Sequence, residues 1–310
     1  MSNATPTSLP PLDTTRAIGA PEGGEVGPVQ SGWRLAAHEF SRNRLALVGL
    51  GLLVFFVLFC FVGPLIYHVN LNDTELTLAN LPPGASHPLG TDDLGIDTLG
   101  ELMKGGQAAL EIGFFAAVMG IGIGALWGAI AGLAGGGTDT VLMRVVDVFL
   151  SVPFLFVILI VAVRYGATIL SLSLIIGAFT WLVPARLVRG EVLTLKTRDF
   201  VAAARAAGSG RWRLIGRHLL PNALGVMIVN VTFNVADAIL AVATLGFLGF
   251  GLHYPQVDWG DMLSKGITQL QNGYWWQVYP VGIAIVLVVM ACNLLGDALR
   301  DSLDVRLRRR

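Results

Sequence analysis

R-D-F-V-A-A-A-R-A-A-G-S-G-R-W-R-L-I-G-R-H-L-L-P-N, residues Arg198–Asn222, is the stretch on which the reading of this chain turns. It opens with Asp199, a residue type that accepts hydrogen bonds from the free N–H groups of a helix start. Phe200, Ala203, Ala204 and Ala207 then recur at helical spacing and predict a short helix with a flat face of small residues. Gly208 is placed to end that helix in the left-handed conformation. Ser209 is placed to cap a second helix, with Trp212, Ile215 and Leu219 on one face and Arg213 and Arg217 on another. Pro221 suits the first turn of the helix that follows. The spacing thus predicts two short helices hinged at a glycine. The small face admits close approach by a partner, and the basic rim suits an acidic cleft or lipid headgroups. A segment that merely fixed membrane orientation would not need capped, amphipathic helices.

What flanks this hairpin is apolar. The 310 residues are 54% hydrophobic and 14% charged, where soluble domains carry roughly 25% charged residues. Six apolar runs have about the length that a helix needs to cross hydrocarbon. They are Leu45–Tyr67, Ala108–Leu133, Val141–Val163, Thr168–Val188, Ala223–Leu245 and Val278–Leu299. The sequence therefore predicts an all-α integral membrane protein with six transmembrane helices over 45–305.

Charge orients the spans. Arg34, Arg42 and Arg44 precede the first span, and Arg144 follows the turn after the second. Arg186, Arg189, Lys196, Arg198, Arg205, Arg211, Arg213 and Arg217 fill the loop 186–221 after the fourth, and residues 306–310 form a basic tail. The intervening loops carry Asp73, Glu75, Asp92, Asp93, Asp97 and Glu101, then Asp258 and Asp261. The alternation places both termini and loop 186–221 in the cytoplasm. Residues 1–32, rich in Pro, Gly, Ser and Thr and lacking an apolar core segment, read as a disordered cytoplasmic tail rather than a signal peptide. Trp33–Arg44 reads as an amphipathic interfacial helix, with Leu35 and Phe40 toward lipid.

Glycines 113, 120, 122, 124, 128 and 132 crowd the second span. Small residues four apart let helices approach closely in lipid, either within this bundle or against a second subunit. Pro64, Pro153 and Pro184 are placed to kink span ends. Asp237 is an acid inside the fifth span and shares a helix face with Asn230 and Asn234. Such a residue either lines a translocation path or hydrogen-bonds within the bundle. Asp147 is expected to pair with Arg144, and Asp297 with Arg300, each one turn away. Asp92, Asp93 and Asp97 suggest an outer docking loop. Trp275, Trp276 and Tyr279 suggest an aromatic anchor for the sixth span. Cys60 and Cys292 lie in apolar runs, and the five histidines are scattered, so no metal site is expected. The chain has no G-x-x-x-x-G-K-[ST] stretch, so no ATP site of its own is expected.

The hairpin resembles the conserved loop of ABC importer permeases, E-A-A, three residues, G, nine residues, I-x-L-P. Ala203, Ala204, Gly208, Leu220 and Pro221 match, whereas Ala202 replaces the glutamate and His218 the isoleucine. The lost glutamate implies either a weaker helix start or a partner groove that lacks the matching contact. F-S-R-N-R-L-A-L-V-G-L (Phe40–Leu50), H-P-L-G-T-D-D-L-G-I-D (His87–Asp97), L-G-F-L-G-F-G (Leu245–Gly251) and N-L-L-G-D-A-L-R-D-S-L-D-V-R-L (Asn293–Leu307) extend the resemblance to the C-type subunit of the dipeptide, oligopeptide and nickel permeases. It implies a type I importer fold in the inner membrane and no catalysis by this chain. It implies a homologous second permease, two cytoplasmic ATP-binding subunits that bind ATP and Mg, and an extracytoplasmic substrate-binding protein. Peptides are the implied cargo, with nickel or another small solute as the alternative; nucleic acid is not an implied partner. The rival readings are a secondary transporter using Asp237 as an ion site and a membrane scaffold. No repeat between the two halves supports the first of these.

Overall fold

A computed structural model describes residues 40–68, 70–71 and 74–308. The N-terminal tail and most of the Trp33–Arg44 segment lie outside the described residues, as do the side chains of 304–310. The described chain is helical throughout. Its helices are α1 (Arg44–Phe61), α2 (Gly63–Ile66), α3 (Thr98–Ala134), α4 (Gly136–Ser151), α5 (Phe154–Tyr165), α6 (Ile169–Thr180), α7 (Leu182–Leu195), α8 (Asp199–Ala206), α9 (Arg211–Leu214), α10 (Leu220–Phe247), α11 (Trp259–Leu270) and α12 (Tyr279–Arg308). Four continuous segments are long and apolar enough to cross a membrane: Arg44–Ile66, Thr98–Ala134, Arg211–Phe247 and Trp275–Leu303. Two further crossings arise if α4–α5, bent by 78°, and α6–α7, bent by 42°, each count as one span. The third and fourth expected runs are therefore bent helix pairs rather than straight helices.

Both breaks have local causes. Val152, ahead of Pro153, is extended (φ −86°, ψ 130°), because a residue before proline is driven out of the helical region. Pro153 then opens α5. At the second bend, Pro184 lies in the first turn of α7 and has no N–H to offer the carbonyl of Thr180 four residues back. The buried Asn234 of α10 donates its Nδ2 to that carbonyl at 3.4 Å. The bend is thus completed by a side chain from another crossing.

α3 is the central element. A Cβ on Gly124 would overlap the Trp181 carbonyl, and one on Gly128 the Ala185 carbonyl. Gly120 and Gly132 lie against the side chains of Thr180 and Val192. The stripe therefore packs within this chain, against α6–α7. Gly122, off that stripe, meets nothing within 4 Å.

The end of the bundle away from the hairpin is tied by polar contacts that the sequence reading took for a docking loop. Asp97 caps α3 through Gly100 N (2.9 Å), and its other oxygen accepts from Tyr67 Oη (2.8 Å) and bonds His87 Nδ1 (2.9 Å). Asp92 accepts from Leu94 N and Ile96 N, closing its own turn. Both aspartates are buried, so they hold this loop together instead of presenting a charged patch. Trp276 is buried too, its indole donating to Thr91 O at 3.1 Å. Only Trp275 and Tyr279 of the expected aromatic anchor are exposed. Fully buried Asp258 caps α11 through Asp261 N (2.9 Å) and accepts from Leu252 N (2.8 Å). Burial raises its carboxyl above the usual carboxylate range, against the lowering effect of those amides.

Replacing Gly128 by Val is expected to destabilise the detergent-solubilised protein by at least ~2 kcal/mol, since backbone cannot yield to the added methyls. Gly122→Val should change stability by less than ~0.5 kcal/mol. Thermal unfolding read by size-exclusion recovery checks the pair. Asp258→Ala strands two buried amides and should cost ~2–4 kcal/mol, with Asp258→Asn milder in the same measurement.

Candidate functional site

The hairpin forms, with different caps from those expected. Arg198 (φ −78°, ψ 148°) is the N-cap of α8 and makes no side-chain capping bond, so Asp199 is the first helical residue. An acid there still suits the positive end of the helix dipole. Because the third helical position is then Val201, a glutamate at 202 could not complete a capping box. Ala202 is exposed. Its departure from the family pattern therefore alters a surface and leaves the helix start unaffected.

At the far end the expectation for Gly208 holds. Its φ is +77°. Gly208 N donates to Arg205 O (2.9 Å) and Ser209 N to Ala204 O (3.0 Å), the paired bonds of a Schellman turn. Ser209 thus closes the first helix, and Gly210, without a side-chain bond, precedes the second. The break between the second helix and the fifth span is absent. α9 passes through a π turn, Ile215–Leu219, directly into α10. Leu220 N reaches back to Ile215 O. The widened turn accommodates Pro221, which has no N–H for the Arg217 carbonyl. Asn222 Nδ2 takes up the His218 carbonyl at 2.6 Å.

Val201, Leu214, Ile215 and Leu219 are buried in one cluster with Ala129, Val188 and Val192 of α3 and α7. This seats the hairpin on the bundle. Trp212 does not join Ile215 and Leu219; it is 70% exposed, and Leu214 fills that face with them instead. The outward surface comprises Asp199, Phe200, Ala202, Ala203, Arg205, Gly208, Arg211, Trp212, Arg213, Arg217 and Pro221, with Ala204, His218 and Leu220 half-buried behind it. It joins an apolar patch, Phe200 and Trp212, to a basic rim.

The first part of loop 186–221 is not a loop. Residues up to Leu195 continue α7, and three cations of this stretch bond neighbouring helices. Arg189 clamps Asp139 of α4 with two bonds (Nε 2.5 Å, Nη2 2.7 Å). Arg186 pairs with Asp147 at 2.5 Å, so Asp147 is held by α7 and not by Arg144. Lys196 Nζ donates to the terminal carbonyl of Gly132 in α3 at 2.9 Å. Asp297 and Arg300 form no ion pair here; among the described residues the basic–acidic pairs are His87–Asp97, Arg186–Asp147, Arg189–Asp139 and Lys265–Asp261.

On α10, Asn230, Asn234 and Asp237 do lie on one side. Asn234 is 7% exposed and engaged by Thr180; Asn230 bonds its own helix at Val226 O (2.8 Å); Asp237 is exposed. Two residues escaped the sequence reading. Val201 was hidden among alanines, although its offset from them marked the opposite face. Glu111, half-buried in the second span, is an acid in a membrane segment and was detectable by the same rule that picked out Asp237.

A family profile described as the binding-protein-dependent transport system inner membrane component matches residues 124–309. A second, described as the N-terminal transmembrane domain of oligopeptide transport permease C, matches residues 31–83. The chain is 36% identical over 280 residues to the dipeptide transport system permease protein of Bacillus subtilis, covering 90% of this chain and 86% of that one. It is 36% identical over 277 residues to the oligopeptide transport system permease protein of the same organism, covering 89% and 90%. With the oligopeptide transport system permease protein of Mycobacterium tuberculosis it shares 38% identity over 272 residues, covering 87% and 93%.

Gly208→Ala should weaken the hairpin by ~1–2 kcal/mol, the cost of a side chain at positive φ, although no atom lies within 4 Å of the added methyl. Amide hydrogen exchange in α8 should accelerate about 5- to 30-fold, while Gly210→Ala, at φ −67°, leaves it unchanged.

Proposed function

We propose, from the premise that this chain belongs to the family of binding-protein-dependent transport system inner membrane components and to its dipeptide/oligopeptide branch, that it is the C-type permease subunit of an ATP-driven peptide importer. It crosses the inner membrane six times, with both termini in the cytoplasm. With a homologous second permease it forms the path for di- and oligopeptides. Asp237, with Asn230 and Asn234 beside it, is the part of α10 we place along that path. Two cytoplasmic subunits bind ATP and Mg and hydrolyse the nucleotide; this chain catalyses nothing. An extracytoplasmic binding protein delivers the peptide. The similarity to dipeptide and oligopeptide transport permeases supports peptides over nickel as cargo.

The observation that carries this reading is the hairpin. A helix of small residues is held outward by a buried Val201 and closed by Gly208, and the second helix of the hairpin continues without a break into a segment long and apolar enough to cross a membrane. Such an element transmits displacement: an ATPase that moves α8 moves α10 with it. Several helix ends support a shared cytoplasmic side. A Cβ on Gly49 near the start of α1 would meet Leu294 of α12, and one on Gly225 near the start of α10 would meet Leu303. The two described chain ends thus lie at the hairpin's end of the bundle.

Because Ala203 is exposed, Ala203→Glu should fold normally, with stability changed by less than ~0.5 kcal/mol. It should nevertheless lower the ATPase that co-purifies with the permease pair by about tenfold, since the bulky acid stands at the centre of the contact. Unchanged co-purification, with transport retained, would sink the coupling role of α8.

A further inference from the structure

One face of α10 carries a polar track along the membrane-length segment Arg211–Phe247. Asn230, Asp237 and Thr244 follow one another at seven-residue intervals, and seven residues fall only ~20° short of two full turns. Asp237 is exposed, and Asn230 and Thr244 are half-buried. Leu240 and Phe247, 43% and 41% exposed, border the track on one side. On the other side Asn234 turns to the Thr180 carbonyl at the bend of α6–α7. Other outward faces of the bundle are different. α1 exposes Leu47, Val54, Phe55 and Leu58, and α12 exposes Ile283, Val286 and Met290, as lipid requires. Ile228 is exposed on the opposite side of α10 from Asp237.

A carboxylate at membrane depth faces a bundle interior or a water-filled cavity, because hydrocarbon is costly to it. The outward track is therefore covered by water and a passing solute, or by a second subunit. Its chemistry favours the solute. Thr244 Oγ1 gives its proton to the Leu240 carbonyl (2.7 Å), which leaves the hydroxyl only lone pairs to offer. Asn230 spends one Nδ2 hydrogen on the Val226 carbonyl (2.8 Å) and retains Oδ1 as an acceptor. With the Asp237 carboxylate, each step of the track accepts hydrogen bonds. A peptide supplies what they accept, an ammonium group and a row of backbone N–H groups. The lengths agree as well. Seven helical residues rise about 10 Å, and an extended tripeptide spans about the same distance. A seam between subunits is made of small residues, whereas Leu240 and Phe247 are large. Resting on the peptide-permease reading above, we infer that Asn230, Asp237 and Thr244 form this chain's wall of the path it shares with the second permease, and that Asp237 receives the ammonium group of a passing peptide while Leu240 and Phe247 take its apolar side chains.

The test uses the whole assembly, both permeases, both ATPase subunits and the binding protein, in liposomes with radiolabelled trialanine. Asp237→Asn should lower uptake about tenfold, the scale of one charge-assisted contact, while the assembly still purifies intact. Asp237→Glu should recover most of the uptake, and Thr244→Val should lower it about threefold. In a chain carrying Cys60→Ala and Cys292→Ala, the thiol introduced by Asp237→Cys should react with small water-soluble thiosulfonates. An anionic reagent, which returns a negative charge, should raise uptake, and a cationic one should abolish it. Trialanine under turnover should slow both reactions, and the thiol of Ile228→Cys should resist both reagents. Uptake unchanged in Asp237→Asn, in both kcat and KM, overturns the inference. So do equal effects of the two reagents. So do thiols from Asp237→Cys and Thr244→Cys that resist the reagents but form disulfides with cysteines placed on the second permease. If the Asp237 variants do not assemble, Asn230→Cys and Thr244→Cys decide: slower reaction under trialanine supports the track, and an unaltered rate overturns it. An unmutated assembly that takes up neither trialanine nor a mixture of other short peptides overturns the peptide reading itself, and that failure is seen before any substitution is made.

Discussion

Backbone packed directly on backbone, where α3 meets α6–α7, is the contact on which the rest of this bundle depends. Lipid supplies no hydrophobic force to drive helices together, so close packing must do so. Gly120, Gly124, Gly128 and Gly132 remove every side chain from one strip of α3, and α6–α7 lies in the strip. The bend between α6 and α7 follows the same surface. With α7 seated there, Arg189 and Arg186 reach the acids of α4, and Lys196 reaches the last turn of α3. The turn that launches the hairpin is thereby fixed relative to the central helix.

The hairpin is local in its making and non-local in its seating. Gly208 and its Schellman bonds depend on a few consecutive residues, and the sequence was sufficient to foresee them. Its helical caps were harder to place, because Arg198 takes the extended conformation that Asp199 was expected to take, and a one-residue shift reassigns every first-turn role. Trp212 was placed on the wrong face because Leu214, which takes the buried position beside Ile215 and Leu219, was left out of that reading. Similar logic separates the charged pairs. Arg144 is one turn from Asp147 along the chain, yet Arg186, thirty-nine residues away in sequence, is the partner that the fold delivers.

Composition told the membrane class plainly and the polar loops poorly. Apolar run length located the four continuous membrane-length helices but could not show that the other two runs are bent helix pairs, although Pro153 and Pro184 were visible. Acidic residues between the first two crossings looked like a surface for a partner. Asp92 and Asp97 are instead consumed by backbone amides, Tyr67 and His87, contacts between residues up to thirty positions apart. Sequence pattern registers charge, whereas burial decides whether that charge is a surface or a joint.

The bond from Asn234 to the Thr180 carbonyl has a mechanical consequence. Proline-bent membrane helices are natural places to look for a hinge. Here, straightening or deepening the bend would pull the carbonyl from its partner and leave it facing hydrocarbon, at a cost of several kcal/mol. The bend is therefore a fixed angle. α3, α6–α7 and α10 are thereby packed as one block, tied by the glycine strip and by this bond.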